Sequence, residues 1–223
     1  MQQSPIYSII LLLVPALFFG QTQDTIDLAA LAKMGEFKAV NRDLKIASQD
    51  GVDYIQISEN KKEGIVWLPL KDFESGTIEI EMRGKDVLQR SFIGVVFHGL
   101  NDSTFDAVYC RPFNFFAKDA VRRIHAIQYI SHPLFTWDKL RSEKNAVFEK
   151  EIIIPPDPNG WFTMKLVIDK TTVKAFINKS ELPSLIVDKL NSRSTGKIGL
   201  FTGDNSGGDF KTMKIEPFIN GEM

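Results

Sequence analysis

77-TIEIEMRG-84 is the stretch on which the fold turns: Ile78, Ile80 and Met82 alternate with Glu79, Glu81 and Arg83. Successive side chains of an extended strand point to opposite faces, so this period of two puts three apolar groups inward and three charged groups outward. One buried face and one wet face are the mark of an antiparallel sheet; strands of parallel sheets are apolar on both. Similar runs lie on either side. 52-VDYIQIS-58 predicts an irregular strand, and 65-IVWLPL-70 a short apolar one ended by Pro69. 92-FIGVVFHG-99 and 105-FDAVYCRPF-113 flank the turn-rich 100-LNDST-104, and 123-RIHAIQYIS-131 follows. 161-WFTMKLVID-169 and 172-TVKAFIN-178 form a hairpin across Lys170-Thr171, with 184-SLIVDKL-190 beyond it. 196-GKIGLFTG-203 and 210-FKTMKIEP-217 read as a second hairpin across 203-GDNSGGD-209. Helix is expected only in 25-TIDLAALAKMG-35, capped by Thr25 or Asp24 and stopped by Gly35, and in the turn 136-TWDKLR-141. Short strands with turns between them predict an all-β, two-sheet antiparallel sandwich and argue against βαβ units.

The run 6-IYSIILLLVPALFFG-20 has no charge and is closed by a small residue and polar 21-QTQD-24. It is shorter than the roughly 20 apolar residues a membrane span needs. Residues 1–20 are therefore expected to be a secretory signal peptide, with an uncleaved anchor as the alternative, and 21–223 a single exported domain. Lys and Arg number 27 against 28 Asp and Glu, a balance that gives no electrostatic case for nucleic acid or a membrane surface. Cys110 is the single cysteine, so no intrachain disulfide forms and stability rests on the core. Its place inside a strand makes it a buried, inert thiol.

Two sheets sharing one core need inward residues from both. If Val95, Phe97, Val108 and Cys110 face that core, His98, Tyr109 and Arg111 leave the sheet on its other side. Arginine is almost never buried unpaired, which also puts Arg111 outside. Gly94 and Ala107 would leave room above the backbone there.

The strand pair opening at Trp161-Phe162 and running through 164-MKLVIDKTTVKAFIN-178, the loop with Pro183, then 196-GKIGLFTG-203 and 209-DFKTMKI-215 form one pattern with 93-IGVVFHG-99 and 105-FDAVYCRPFNF-115. Over about residues 37 to 217 it resembles the concanavalin A-like lectin/glucanase superfamily. Within it, the sequence is similar to exported bacterial 3-keto-disaccharide hydrolase-like and laminin G-like domains. The resemblance implies a jelly roll with one concave sheet, and carbohydrate on the concave face or its rim. Fold alone does not fix activity.

Sugars need planar donors and acceptors in fixed places and an aromatic platform. Tyr109, Arg111 and Asn114 supply those types from one strand and its end. His125, Gln128 and Tyr129 supply them from the next strand, and Trp137 and Arg141, four apart on one helical face above an anchoring Leu140, from the loop beyond. Alternation does not allow Gln128 to share a face with His125 and Tyr129 without a bulge; His125 and Tyr129 are favoured, with Gln128 kept as the option. The bland reading makes Tyr129 and Trp137 packing residues and pairs Arg111 with Asp106 or Asp138. For hydrolysis, the Glu-x-Asp-x-Glu acids of related glucanases are missing; 79-EIE-81 lacks the third acid and reads as a solvated face. Asp106, Asp138, Glu143 and Glu149 lie near the groove with nothing in the sequence to pair them. Whether the chain is an enzyme is left open. Asp204, Asn205 and Asp209, with Ser206, offer hard oxygens for calcium, but they are also what a tight turn requires. The leading expectation is an exported module that binds carbohydrate; the alternatives are a glycoside hydrolase and a laminin G-like protein-interaction module.

Overall fold

In the computed structural model, which describes residues 25–218, the strand Gly76–Arg83 buries Ile78, Ile80 and Met82 fully and leaves Glu79, Glu81 and Arg83 half-buried. The expected signal peptide lies outside the described residues. In chain order the strands are β1 (Ile26–Asp27), β2 (Lys38–Val40), β3 (Leu44–Gln49), β4 (Val52–Ile57), β5 (Gly64–Trp67), β6 (Gly76–Arg83), β7 (Ile93–Asn101) and β8 (Thr104–Cys110). They continue with β9 (Ile127–Ser131), β10 (Glu149–Lys150), β11 (Phe162–Ile168), β12 (Thr172–Ile177), β13 (Leu185–Asp188), β14 (Lys197–Thr202) and β15 (Gly208–Pro217). Helices α1 (Leu28–Lys33), α2 (Ala120–Arg123) and α3 (Trp137–Glu143) are short.

All pairings are antiparallel and fall into two sheets. One runs β13-β12-β11-β6-β15-β4-β3, with β1 on β15; the other runs β10-β9-β8-β7-β14-β5-β2. The result is a two-sheet antiparallel jelly-roll sandwich. Between the sheets lie Ile80, Met82, Met164, Leu166 and Phe210 from one side and Ile93, Val95, Phe97, Val108 and Ile127 from the other, all sealed from solvent. Each such side chain contributes about 1.5–3 kcal/mol by leaving water, so the two inner faces account for most of the driving force. Cys110 is buried among them, and burial pushes its thiol pKa up, away from reactivity.

Two expectations about elements are corrected. The segment 196–217 is not a hairpin: β14 pairs with β5 and β7 in one sheet, and β15 with β4, β6 and β1 in the other. Residues 203–207 form an arch that crosses between sheets. Buried Arg42 clamps it, donating to the carbonyls of Gly203 (2.7 Å), Ser206 (3.2 Å) and, from the neighbouring loop, Lys62 (2.8 Å). Arch and hairpin ask for the same Gly, Asn and Asp, so local composition does not separate them. In α1 the cap is Asp27, whose carboxylate accepts from Ala30 N at 2.9 Å, and the helix gives way at Gly35, φ +78°.

Candidate functional site

Strands β8 and β9 carry the site on the face turned away from the core. Register sets Tyr109 opposite Gln128 and Val108 opposite Tyr129, so these pairs point in opposite directions. Tyr109 donates to Gln128 Oε1 at 2.8 Å. Arg111, two residues on, follows Tyr109 to the same side; its Nη2 bonds Tyr109 Oη (2.9 Å) and Gln128 Oε1, and its Nη1 donates to His125 O (2.9 Å). Asn114, in the 3₁₀ turn Pro112–Asn114, donates to the same carbonyl at 3.2 Å.

The charge of this floor is partly balanced by Glu149, which β10 sets opposite Gln128. Glu149 accepts from Arg141 Nη2 (2.8 Å) and Nε (3.0 Å), lies 3.5 Å from Arg111 Nη1 and 2.9 Å from His125 Nδ1, and is 1% exposed. Arg111 is 3% exposed. Two guanidinium groups around one carboxylate stabilise it only while all are present; removing one partner from such a buried pair costs about 3–5 kcal/mol. Burial lowers the Arg111 and His125 pKa values, with Glu149 opposing in both; burial pushes the Tyr109 phenol up to about 12. His125 is thereby favoured as a neutral ring.

Above this floor opens a cleft of about 490 Å³. Trp137 and Arg141 line one rim from α3, one turn apart, with the Arg141 guanidinium 5.2 Å from the indole centroid and Leu140 anchored in the core. Trp137 is 45% exposed, a large aromatic face held against solvent. Phe92, Phe113 and Phe201 add apolar wall, Phe92 and Phe113 edge to face at 5.3 Å. A Cβ on Gly203 would come within 2.6 Å of Phe92 Cβ, so only glycine admits that ring. The opposite wall holds Glu63, Asp204 and Asn205. Burial raises the Glu63 carboxyl to about 7, against the pull of Arg42 and with Asp204 adding to the rise.

Tyr109, Arg111, Asn114, His125, Trp137 and Arg141 thus line one cleft, with Gln128 bonded into its floor. Tyr129 does not: it is fully buried on the core side, donating to Asp106 at 2.8 Å, and Gln128 takes the place expected for it. His125 precedes β9 rather than lying in it, which is why it joins the Gln128 side without a bulge. His98 is also redirected. A bulge in β7 and φ +48° turn its ring to Glu74 O (2.7 Å), with Nδ1 3.9 Å from Asp106 Oδ2. The room expected at Gly94 is taken by Tyr109, whose Cα would stand 2.5 Å from an added Cβ. Arg111 pairs with neither Asp106 nor Asp138. Glu149 stands near the groove as expected, but its partners were not legible, nor were the contributions of Glu63, Arg122 and the three phenylalanines, because these depend on sheet register and loop closure.

The residues expected for calcium do not converge. Asp209 is held by Arg83 (2.7 and 2.9 Å) and Gln56 (3.0 Å) along a groove on the other sheet, while Asp204 and Asn205 face the cleft, Asn205 donating to Asp204 at 2.7 Å. Among the described residues no three His, Cys, Asp or Glu side chains are grouped to hold a metal. This donor set does not fit the ion. The groove beside Asp209, about 640 Å³, has no aromatic lining, and four of its charges are paired in Arg83–Asp209 and Lys85–Glu59.

No protein-family model matches the chain, and no curated protein matches it. Solved structures share its fold. The carbohydrate-binding module CBM66 from Bacillus subtilis is 12% identical, with a TM-score of 0.51 over 81% of this chain and 92% of its own. A protein of unknown function with a galectin-like fold, also from Bacillus subtilis, is 15% identical, with a TM-score of 0.57 over 86% and 94%. The exoplasmic/lumenal domain of VIP36, in a Ca²⁺/Man3GlcNAc-bound form, is 11% identical, with a TM-score of 0.54 over 85% and 87%.

Proposed function

We propose that this chain is an exported carbohydrate-binding domain that takes a sugar in the cleft above Arg111, with Trp137 as its stacking platform. The carrying observation is an exposed indole and a pre-set polar floor in one opening of about 490 Å³. Sugars bind by laying a ring face on an aromatic and their hydroxyls on fixed donors and acceptors, and a floor held by its own hydrogen bonds loses little entropy on binding. The fold likeness to a carbohydrate-binding module and to a lectin domain supports the reading. The uncharged run 6–20 supports export. The reading makes no use of the Asp204, Asn205 and Asp209 set, since Asp209 is committed to Arg83. The test is a glycan array on the full chain followed by calorimetry. A ligand whose affinity falls about tenfold or more in Trp137→Ala supports the proposal; no ligand across a broad array contradicts it.

A second reading, glycoside hydrolysis as in the 3-keto-disaccharide hydrolase-like domains, draws on Glu63, whose carboxyl at about 7 shares the cleft with Asp204. A carboxyl that keeps its proton near neutral pH is one half of what acid-base cleavage needs. Glu149 is unsuited to it, being saturated by Arg141, Arg111 and His125. Reducing-sugar release abolished by Glu63→Gln would favour this reading over simple binding.

A further inference from the structure

The cleft walls differ in charge, and one cation on them has no counter-ion. Arg111 and Arg141 share Glu149, at 3.5 and 2.8 Å. Arg122, the third arginine lining the cleft, donates from Nε to Asn114 Oδ1 (3.2 Å) and from Nη2 to Phe113 O (2.8 Å), both neutral acceptors. It makes no ion pair among the described residues, and its Nη1 has no acceptor there. Its neighbour Arg123 shows the contrast: turned the other way, it pairs with Glu151 at 3.1 Å and donates to the carbonyls of Ala117 and Lys118. The two bonds of Arg122 fix the guanidinium plane before any ligand arrives, leaving one edge with a donor unused. A fixed guanidinium with a free edge is the ordinary receptor of an oxyanion.

We propose, building on the sugar-binding reading, that the ligand is an acidic sugar whose carboxylate or sulfate is received by Arg122. The sugar ring then lies over Trp137, and its hydroxyls face Glu63 and Asp204 across the cleft. The acidic wall gives the ligand a direction: an anion at that end meets Asp204, and an anion at the Arg122 end meets a cation without a partner. Asn114 takes part as a positioning residue, since its Oδ1 holds Arg122 while its Nδ2 is tied to the carbonyl that also receives Arg111.

The test uses the full chain and three sets of probes: uronate-containing glycans with their carboxyl-reduced counterparts, sulfated galactans with their desulfated counterparts, and neutral glycans. The expected result is that one acidic set binds at least about tenfold tighter than its neutralised counterpart. That preference shrinks as sodium chloride is raised. Which set wins identifies the anion. Arg122→Gln removes the preference, Arg122→Lys keeps part of it together with the salt dependence, and Arg123→Gln leaves it intact. The comparison of matched glycans on the unaltered chain needs no variant to fold. Equal binding of acidic and neutralised glycans overturns this inference and leaves the sugar-binding reading standing; binding of no glycan overturns both.

Discussion

Strands β8 and β9 carry two buried polar clusters back to back, and only one of them opens to solvent. On the outer face Arg111, Tyr109, Gln128, Glu149 and Arg141 form the cleft floor. On the inner face Asp106 accepts from Tyr129 (2.8 Å), Asn191 (2.6 Å) and Arg193 (3.0 Å), and Ser131 accepts from both Asn191 and Arg193 at 2.8 Å. Both clusters hold an arginine on a buried acid. The inner one ties the loop after β13 to the sheet: Asn191 and Arg193 are its hands, and Arg193 also reaches the carbonyls of Phe105 (3.0 Å) and His132 (3.3 Å). Most of its polar atoms are turned to one another and to the backbone, and those without a partner, Asp106 Oδ2 and Arg193 Nε, are sealed from solvent. The outer one leaves Trp137 and Arg122 with faces to spare, above an open volume. What separates the two clusters is that only the outer one turns unused bonding capacity to an open hollow.

The sharpest way to break this contrast is Arg193→Ala. It leaves Asp106 buried against neutral donors, and a loss of about 3–5 kcal/mol is expected in urea denaturation, with whatever remains folded keeping its ligand affinity. Glu149→Ala is expected to cost a similar amount and also to abolish binding, because Arg111 and Arg141 lose their common anchor. Arg111→Ala belongs with it: a residue 3% exposed and bonded to Tyr109, Gln128 and His125 is not removed from the floor without a cost in stability.

Smaller effects sharpen the comparison. Glu63 has its folded pKa raised from 4.5 to about 7, so the folded chain holds a proton that the unfolded chain releases. The stability this group contributes is present below about pH 4.5 and lost as pH rises through about 7. Glu63→Gln should therefore match the parent in Tm at pH 4 and exceed it at pH 8; a Tm difference that is the same at both pH values would place Glu63 in an ordinary solvated setting. Smallest of all, EDTA is expected to leave glycan affinity unchanged in calorimetry, given that the oxygens of residues 204–209 are directed to two different sides of the molecule.

What the sequence made legible follows from range. Alternation in 77–84 and the 161–178 hairpin are local, and both stand as expected. Trp137 and Arg141 share a rim because four residues make one helical turn. The choice between Gln128 and Tyr129 was not local: it depends on which partner on β8 each one meets. The β7 bulge that redirects His98 has no composition of its own, and the arch at 203–207 has the composition of a hairpin. Glu149 joins Arg111 only because β10 pairs with β9 across α3, a closure that no spacing announces.

The central claim is that a sugar lies between the indole of Trp137 and the floor set by Arg111. Calorimetric titration of the array-identified glycan into the parent chain and into Trp137→Ala tests it most directly. The account predicts an affinity lower by about tenfold or more in the variant at an unchanged Tm, because the indole is exposed and packs on Arg141 rather than in the core. Equal affinity in the two proteins would contradict it and move the ligand elsewhere.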